Sequence, residues 1–308
     1  MTVYEICTTF SLSKSNTTCL YAIGNTLFFL TQSFVDLALT DWNYLLLVAS
    51  TVCIAAGGAV MQHIVNQEDD AIIHPQKRIV GHTITETAAY NWYIGLTIAG
   101  VGLGFYLANV IYKPTFASLF VLVATLRYVK ATNLDRIPLL GSIISALLIA
   151  ISIIVIALFD IFPATDAYNK TRMGEAFGIL VDYAIFGFLL VFIFELFNSL
   201  KNKQNNEIVG TSTIATRIGV TKTKIMIGIC TMVLIAILIY YCKVHLFELT
   251  LVLYYTLLTL VGPLLFFGLK LISSNTIQEY KILERTLYFV MCFSILSIAV
   301  IVYNLKHA

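Results

Sequence analysis

The polar run Gln62-His63-Ile64-Val65-Asn66-Gln67-Glu68-Asp69-Asp70 follows a long apolar stretch and ends in three consecutive carboxylates. Charges beside a membrane-length segment are costly to bury, so they mark either a site or a solvated helix end. Gln62, Asn66 and Asp70 recur at i, i+4 and i+8, which places three polar groups on one helix face, a turn apart. Glu68 and Asp69 adjoin Asp70, although neighbours on a helix diverge by about 100°. Carboxylates here could hold a metal-charged ligand. His63 could ligate a metal or shuttle a proton, or merely be hydrogen-bonded at an interface.

The run continues as Ile73-His74-Pro75-Gln76-Lys77-Arg78-Ile79-Val80-Gly81-His82-Thr83-Ile84-Thr85. Lys77 and Arg78 could grip phosphate oxygens, or serve only to set topology. A second polar face repeats the spacing with Asn198, Asn202 and Asn206, and carries amides alone. Each face leads to a glycine (Gly81, Gly210) and then threonines (Thr83 and Thr85; Thr211 and Thr213). That recurrence suggests an internal duplication. Lys201 and Lys203 fall inside the second face and could attract an anion directly, or be ordinary loop charge. Glu195 and Glu207 flank it.

Long apolar helices must carry these faces. Of 308 residues, 59% are hydrophobic and 12% charged, with a mean hydropathy of +0.87. A soluble domain would hold roughly 25% charged residues. Apolar runs of membrane length occur at 19–39, 44–65, 90–111, 116–129, 139–162, 176–196, 225–242, 247–269 and 286–302. The chain therefore reads as an all-α integral membrane protein of nine transmembrane helices. It forms a single transmembrane domain, 1–308, with polar loops at about 66–89 and 198–224. Helices follow because a spanning backbone must satisfy its own hydrogen bonds. Gly57-Gly58 and Gly262-Pro263 mark points of close packing or bending.

Fourteen of the 19 Lys and Arg residues fall on the side holding the N-terminus and the loops after spans two, four, six and eight. The positive-inside rule makes that side cytoplasmic. We expect a bacterial inner (plasma) membrane location, no cleavable signal peptide, contact with membrane lipid and no nucleic-acid partner. The six cysteines lack metal-ligand spacing and read as small core residues. Asp182 and Glu195 lie in or at the end of the sixth span, where charge is expensive.

Nine spans with polar loops after the second and sixth resemble the UbiA superfamily of intramembrane prenyltransferases. Its first loop reads approximately N-D-x-x-D-x-x-x-D, then N-x-P-x-R and V-x-x-G-x-I-S. Here the tail from Ile73 to Thr85 is similar to that pattern. Asp135-Arg136-Ile137-Pro138-Leu139-Leu140-Gly141-Ser142 resembles the K-R-x-P-L-x-G-N that opens the fifth span. Gly210-Thr211-Ser212-Thr213-Ile214-Ala215-Thr216-Arg217-Ile218-Gly219 resembles the close of the second loop. The resemblance implies a UbiA-like bundle that moves an isoprenyl group from a prenyl diphosphate to a hydrophobic acceptor in the membrane. It also implies magnesium between two aspartate faces, above an apolar tunnel that shields allylic cation character from water. Phe186, Phe188, Phe192 and Phe194 could line such a tunnel or touch lipid.

The chain departs from that pattern at the metal positions. The first motif falls on Gln62, His63, Asn66 and Asp70, and the second on Ser199, Asn202 and Asn206. What remains implies catalysis by Asp70 and Arg136, with metal on Asp70 aided by Glu68 or Asp69. Lys77, Arg78, Lys201, Lys203, Gln62, Asn66, Asn202 and Asn206 would hold the substrate. Loss of carboxylates favours weak or altered catalysis. Two alternatives stand beside the transferase: an inactive relative that binds or scaffolds isoprenoid lipids, and a small-solute transporter.

Overall fold

The structure, a computed structural model, describes residues 38–73, 75, 78–247 and 249–307. Among them it is helical, with one isolated bridge between Val80 and Ile84 and no strand. The elements are α1 (Asp41–Val65), α2 (Gln67–Ile73), α3 (Glu86–Val110), α4 (Ala117–Thr132) and α5 (Leu140–Ile156). They continue as α6 (Lys170–Lys201), α7 (Lys203–Ile208), α8 (Ile214–Ile218) and α9 (Val220–His245). Last come α10 (Thr250–Thr256), α11 (Gly262–Ser273) and α12 (Ile277–His307).

Eight helical segments among the described residues have the length and apolarity to cross a membrane. They coincide in order with the second to ninth spans expected from the sequence. The first expected span, 19–39, lies outside the described residues apart from its last two. α1 and α3 start ahead of their apolar runs, at polar N-terminal caps: the Thr40 and Thr85 hydroxyls accept from the amides of Asn43 and Ala88.

The chain divides into two compact units, Met1–Ala184 and Ile185–Ala308. In the first, α1 packs closely on α3 and α4. Bilayer lipid is as apolar as leucine, so helices associate there through close fit, which small residues permit. A Cβ on Gly100 would lie 2.6 Å from Ile54 Cγ1 and 2.9 Å from the Ser50 carbonyl. The same approach lets Ser50 Oγ donate to the Gly100 carbonyl at 2.7 Å. Gly104 opens onto the Phe120 ring, where an added Cβ would sit 2.3 Å away. Phe120 in turn meets Phe159 edge-on, with centroids 5.3 Å apart.

A wide helical turn, Ala157–Ile161, ends α5 and places the fully buried Asp160 at its end of the unit. Asp160 anchors the chain entering α1: Leu39 N–H donates to its carboxylate at 3.0 Å, and Ala38 N–H to its carbonyl at 3.1 Å.

In the second unit the end of α6 packs on α11 and α12 through Phe197, edge-on to Phe267 and Tyr280. The turn between α11 and α12 is tightly stitched. Thr276 and Glu279 form a reciprocal cap: the Glu279 carboxylate accepts from the Thr276 amide, and the Thr276 hydroxyl from the Glu279 amide. Lys270 reaches the same carboxylate at 3.2 Å.

Gly100→Ala should destabilise the first unit by about 1–3 kcal/mol through overpacking. Gly102→Ala, whose added Cβ meets nothing within 4 Å, should be close to neutral. Thermal unfolding in detergent micelles compares the two.

Candidate functional site

Both polar faces sit at the same local break. α1 ends at Asn66, with φ −89° and ψ 8°, and α2 begins one residue later. α6 ends at Lys201, Asn202 takes φ −95° and ψ 14°, and α7 follows. The backbone bonds match as well. Asn66 N–H donates to the Gln62 carbonyl and Asn202 N–H to that of Asn198, each at 3.0 Å. Asp70 and Asn206 N–H donate in turn to the Asn66 and Asn202 carbonyls. The glycines that follow, Gly81 and Gly210, both take positive φ, 82° and 71°. The duplication suggested by spacing is thus repeated in backbone geometry.

In the first unit Gln62 projects from the last turn of α1, and its amide donates to Asp135 Oδ2 at 2.9 Å. Asp135 lies in a short turn, Leu134–Arg136, between α4 and α5. Lys130 Nζ stands 3.0 Å from the other carboxylate oxygen. Gly141 leaves room for that turn, since a Cβ there would lie 3.0 Å from Asp135 Oδ1. One turn before Lys130, Arg127 lays its aliphatic stem against Gly58, where an added Cβ would come within 2.7 Å. The Arg127 Nε is buried with no hydrogen-bond partner among the described residues. Of these two cations on one face of α4, Lys130 meets Asp135 and Arg127 has no ion pair among the described residues, leaving a local positive excess.

Arg78 turns back on its own loop: its Nε donates to the Val80 carbonyl at 2.9 Å, and its guanidinium packs over Gly81. Arg136 is exposed. Lys77 lies outside the described residues. Glu68, Asp69 and Asp70 occupy the first turn of α2, where the helix dipole favours acids on its own account. Among the described residues no three His, Cys, Asp or Glu side chains are grouped to hold a metal ion.

In the second unit the motif positions serve the loop. Ser199 Oγ accepts from the Ala215 amide at 3.1 Å and so ties α8 to α6. Lys201 meets both Glu284 oxygens at 2.7 Å. Lys203 meets Glu207 at 2.7 Å, one turn along α7. Asn202 and Asn206 are half-buried. Residue spacing gave no role to Arg127, Lys130, Asp135 or Glu284. The Arg127–Lys130 spacing of three was a usable signal, whereas Glu284 had none local to its partner.

Membrane-length helices interrupted at two equivalent polar breaks define an integral membrane bundle. The chain belongs to the UbiA prenyltransferase family, whose model matches residues 18–303. A digeranylgeranylglyceryl phosphate synthase from Methanoregula boonei is 26% identical over 195 residues, 63% of this chain. The match spans 64% of that relative's length. The fold is similar to that of a UbiA homolog from Aeropyrum pernix K1, with a TM-score of 0.67 and 14% identity over 97% of this chain and 98% of that one. It is also similar to a UbiA homolog from Archaeoglobus fulgidus bound to DMAPP and Mg2+, with a TM-score of 0.63 and 11% identity over 94% and 98% of the two chains.

Gly81→Ala should loosen the first loop. Its φ of 82° disfavours a side chain, and the new Cβ would lie 2.3 Å from Arg78 Nη2. A cost of about 1–2 kcal/mol is expected from the backbone alone. Faster amide exchange at Thr83 and Ile84, which both donate to the Ile79 carbonyl, would report it.

Proposed function

We propose that this protein binds a prenyl diphosphate at the loop end of α1 and α4 and transfers the prenyl group to an acceptor in the membrane. The observation carrying this reading is the Arg127–Lys130 pair beside the Gln62 amide, in which Lys130 alone has a carboxylate partner, Asp135, among the described residues. Diphosphate leaves readily only when its charge is met, and preorganised cations in an apolar setting meet it strongly. As the bond from allylic carbon to oxygen breaks, these cations hold the departing diphosphate. The acceptor nucleophile bonds to that carbon and releases its proton. Arg136 and Arg78 stand along the same loops, and Asn66 offers an amide to phosphate oxygens.

Magnesium accompanies DMAPP in the Archaeoglobus relative. In this chain Asp70, with Asp69 or Glu68, would hold one ion, adding positive charge to the diphosphate. The second face supplies no carboxylate at its motif positions, so a two-ion site does not fit this donor set. That deficit favours a second reading, in which the protein binds an isoprenoid diphosphate or lipid without transfer. The name of the Methanoregula relative makes a prenylated glyceryl phosphate one acceptor to try.

Purified protein in vesicles, given a radiolabelled prenyl diphosphate, separates the readings. Lys130→Ala or Arg127→Ala should weaken binding about tenfold, the loss of one charge-assisted hydrogen bond. Magnesium-dependent diphosphate release, lost in Asp70→Ala, supports transfer. Chelator-insensitive binding without release supports the binder, and absence of binding sinks both. We also place the α6–α9 loops on the cytoplasmic face from the Lys and Arg distribution. Ser212→Cys, in a background without native cysteines, should react with an impermeant maleimide from that face alone.

A further inference from the structure

We propose that the second unit carries a site for an anionic phospholipid of the surrounding bilayer, in a groove between α10–α11 and α12. The groove has a volume of about 590 Å³, within the range of small-molecule sites. Leu258, Gly262, Pro263 and Phe266 line one side, and Arg285 and Phe289 the other. Its shape has a cause in sequence. Pro263 cannot donate a backbone hydrogen bond, and its ring crowds the preceding turn. The helix relaxes into a wide turn at Leu257–Val261, where Gly262 N–H reaches the Leu257 carbonyl. Gly262 adds no side chain, so the helix face is hollow at this level.

Two contacts clamp the walls at the ends of the groove. Lys270 and Glu279 join them near the connecting turn. At the far end the Tyr255 hydroxyl donates to the Phe293 carbonyl at 2.7 Å. The groove opens outward, with Leu258 79% exposed.

Its polarity is graded. Arg285 lies eight residues into α12, immediately before the apolar run 286–302. Phe289, Leu258 and Pro263 extend deeper. Arg285 is exposed and has no ion pair or hydrogen bond among the described residues. The nearby acids are engaged elsewhere, Glu284 by Lys201 and Glu279 by Lys270. A cation above an apolar groove suits a phosphodiester headgroup with one acyl chain below it. A single guanidinium matches the single charge of that headgroup.

Full-length protein in vesicles of phosphatidylcholine and phosphatidylglycerol, followed by native mass spectrometry of retained lipid, tests the assignment. Phosphatidylglycerol should be retained about fivefold over phosphatidylcholine, the preference one cation gives near an anionic surface. Arg285→Gln should abolish that preference and Arg285→Lys should keep most of it. Gly262→Leu should displace the acyl chain by filling the groove; its Cβ would meet only the Leu257 carbonyl, at 3.5 Å. Both variants should bind prenyl diphosphate as the unaltered protein does. Equal retention of the two lipids, or retention unchanged in Arg285→Gln and Gly262→Leu, would overturn the proposal. So would displacement of phosphatidylglycerol by geranylgeranyl diphosphate, which would identify the groove with the prenyl substrate, or occupancy by the chain's own residues 1–37.

Discussion

Every backbone amide and carbonyl inside a bilayer must find its partner within its own helix, and this constraint shapes the whole protein. It confines irregular backbone to helix ends and to turns that keep their hydrogen bonds. The wide turns at Ala157–Ile161 and Leu257–Val261 are of the second kind: each passes its bond to the fifth residue back. The breaks at Asn66 and Asn202 are of the first kind. Each stops a membrane helix where polar side chains begin and restarts a short helix one residue later.

Within those limits, charge is handled differently in the two units. In the first, α4 brings Arg127 and Lys130 to a region with one carboxylate, and Gln62 orients that carboxylate from α1. Close fit makes this arrangement definite, because Gly58 lets the Arg127 stem lie against α1. In the second, lysines and glutamates pair off, and Ser199 serves the loop. The repeated backbone therefore carries two different electrostatic characters. Partly exposed pairs such as Lys203–Glu207 add little stability, but they fix which cations remain open to an anion.

Much of the frame was legible from residue order. The spans from the second onward stand where apolar runs place them, since membrane solvation acts on each segment by itself. The equivalence of the two faces was legible too, through the spacing of Gln62, Asn66 and Asp70 and of Asn198, Asn202 and Asn206. Gly81 and Gly210 fell into the left-handed region, as matched loop glycines would. The roles of individual charges were not legible. Arg78 stood beside Lys77 as a phosphate ligand in the motif, yet it clasps its own turn because Val80 offers a carbonyl within reach.

The sequence by itself determined the membrane class, the order of the helices and the positions of both polar breaks. These depend on local apolarity, on spacing and on glycine, which act over a few turns. Tertiary structure alone decided that Gln62 meets Asp135, 73 residues away, and that Lys201 meets Glu284, 83 residues away. It also decided that Arg127 packs on Gly58 and that Arg285 overlooks an apolar groove. Helix packing makes those contacts, and no local pattern records which distant side chain will neutralise a given charge.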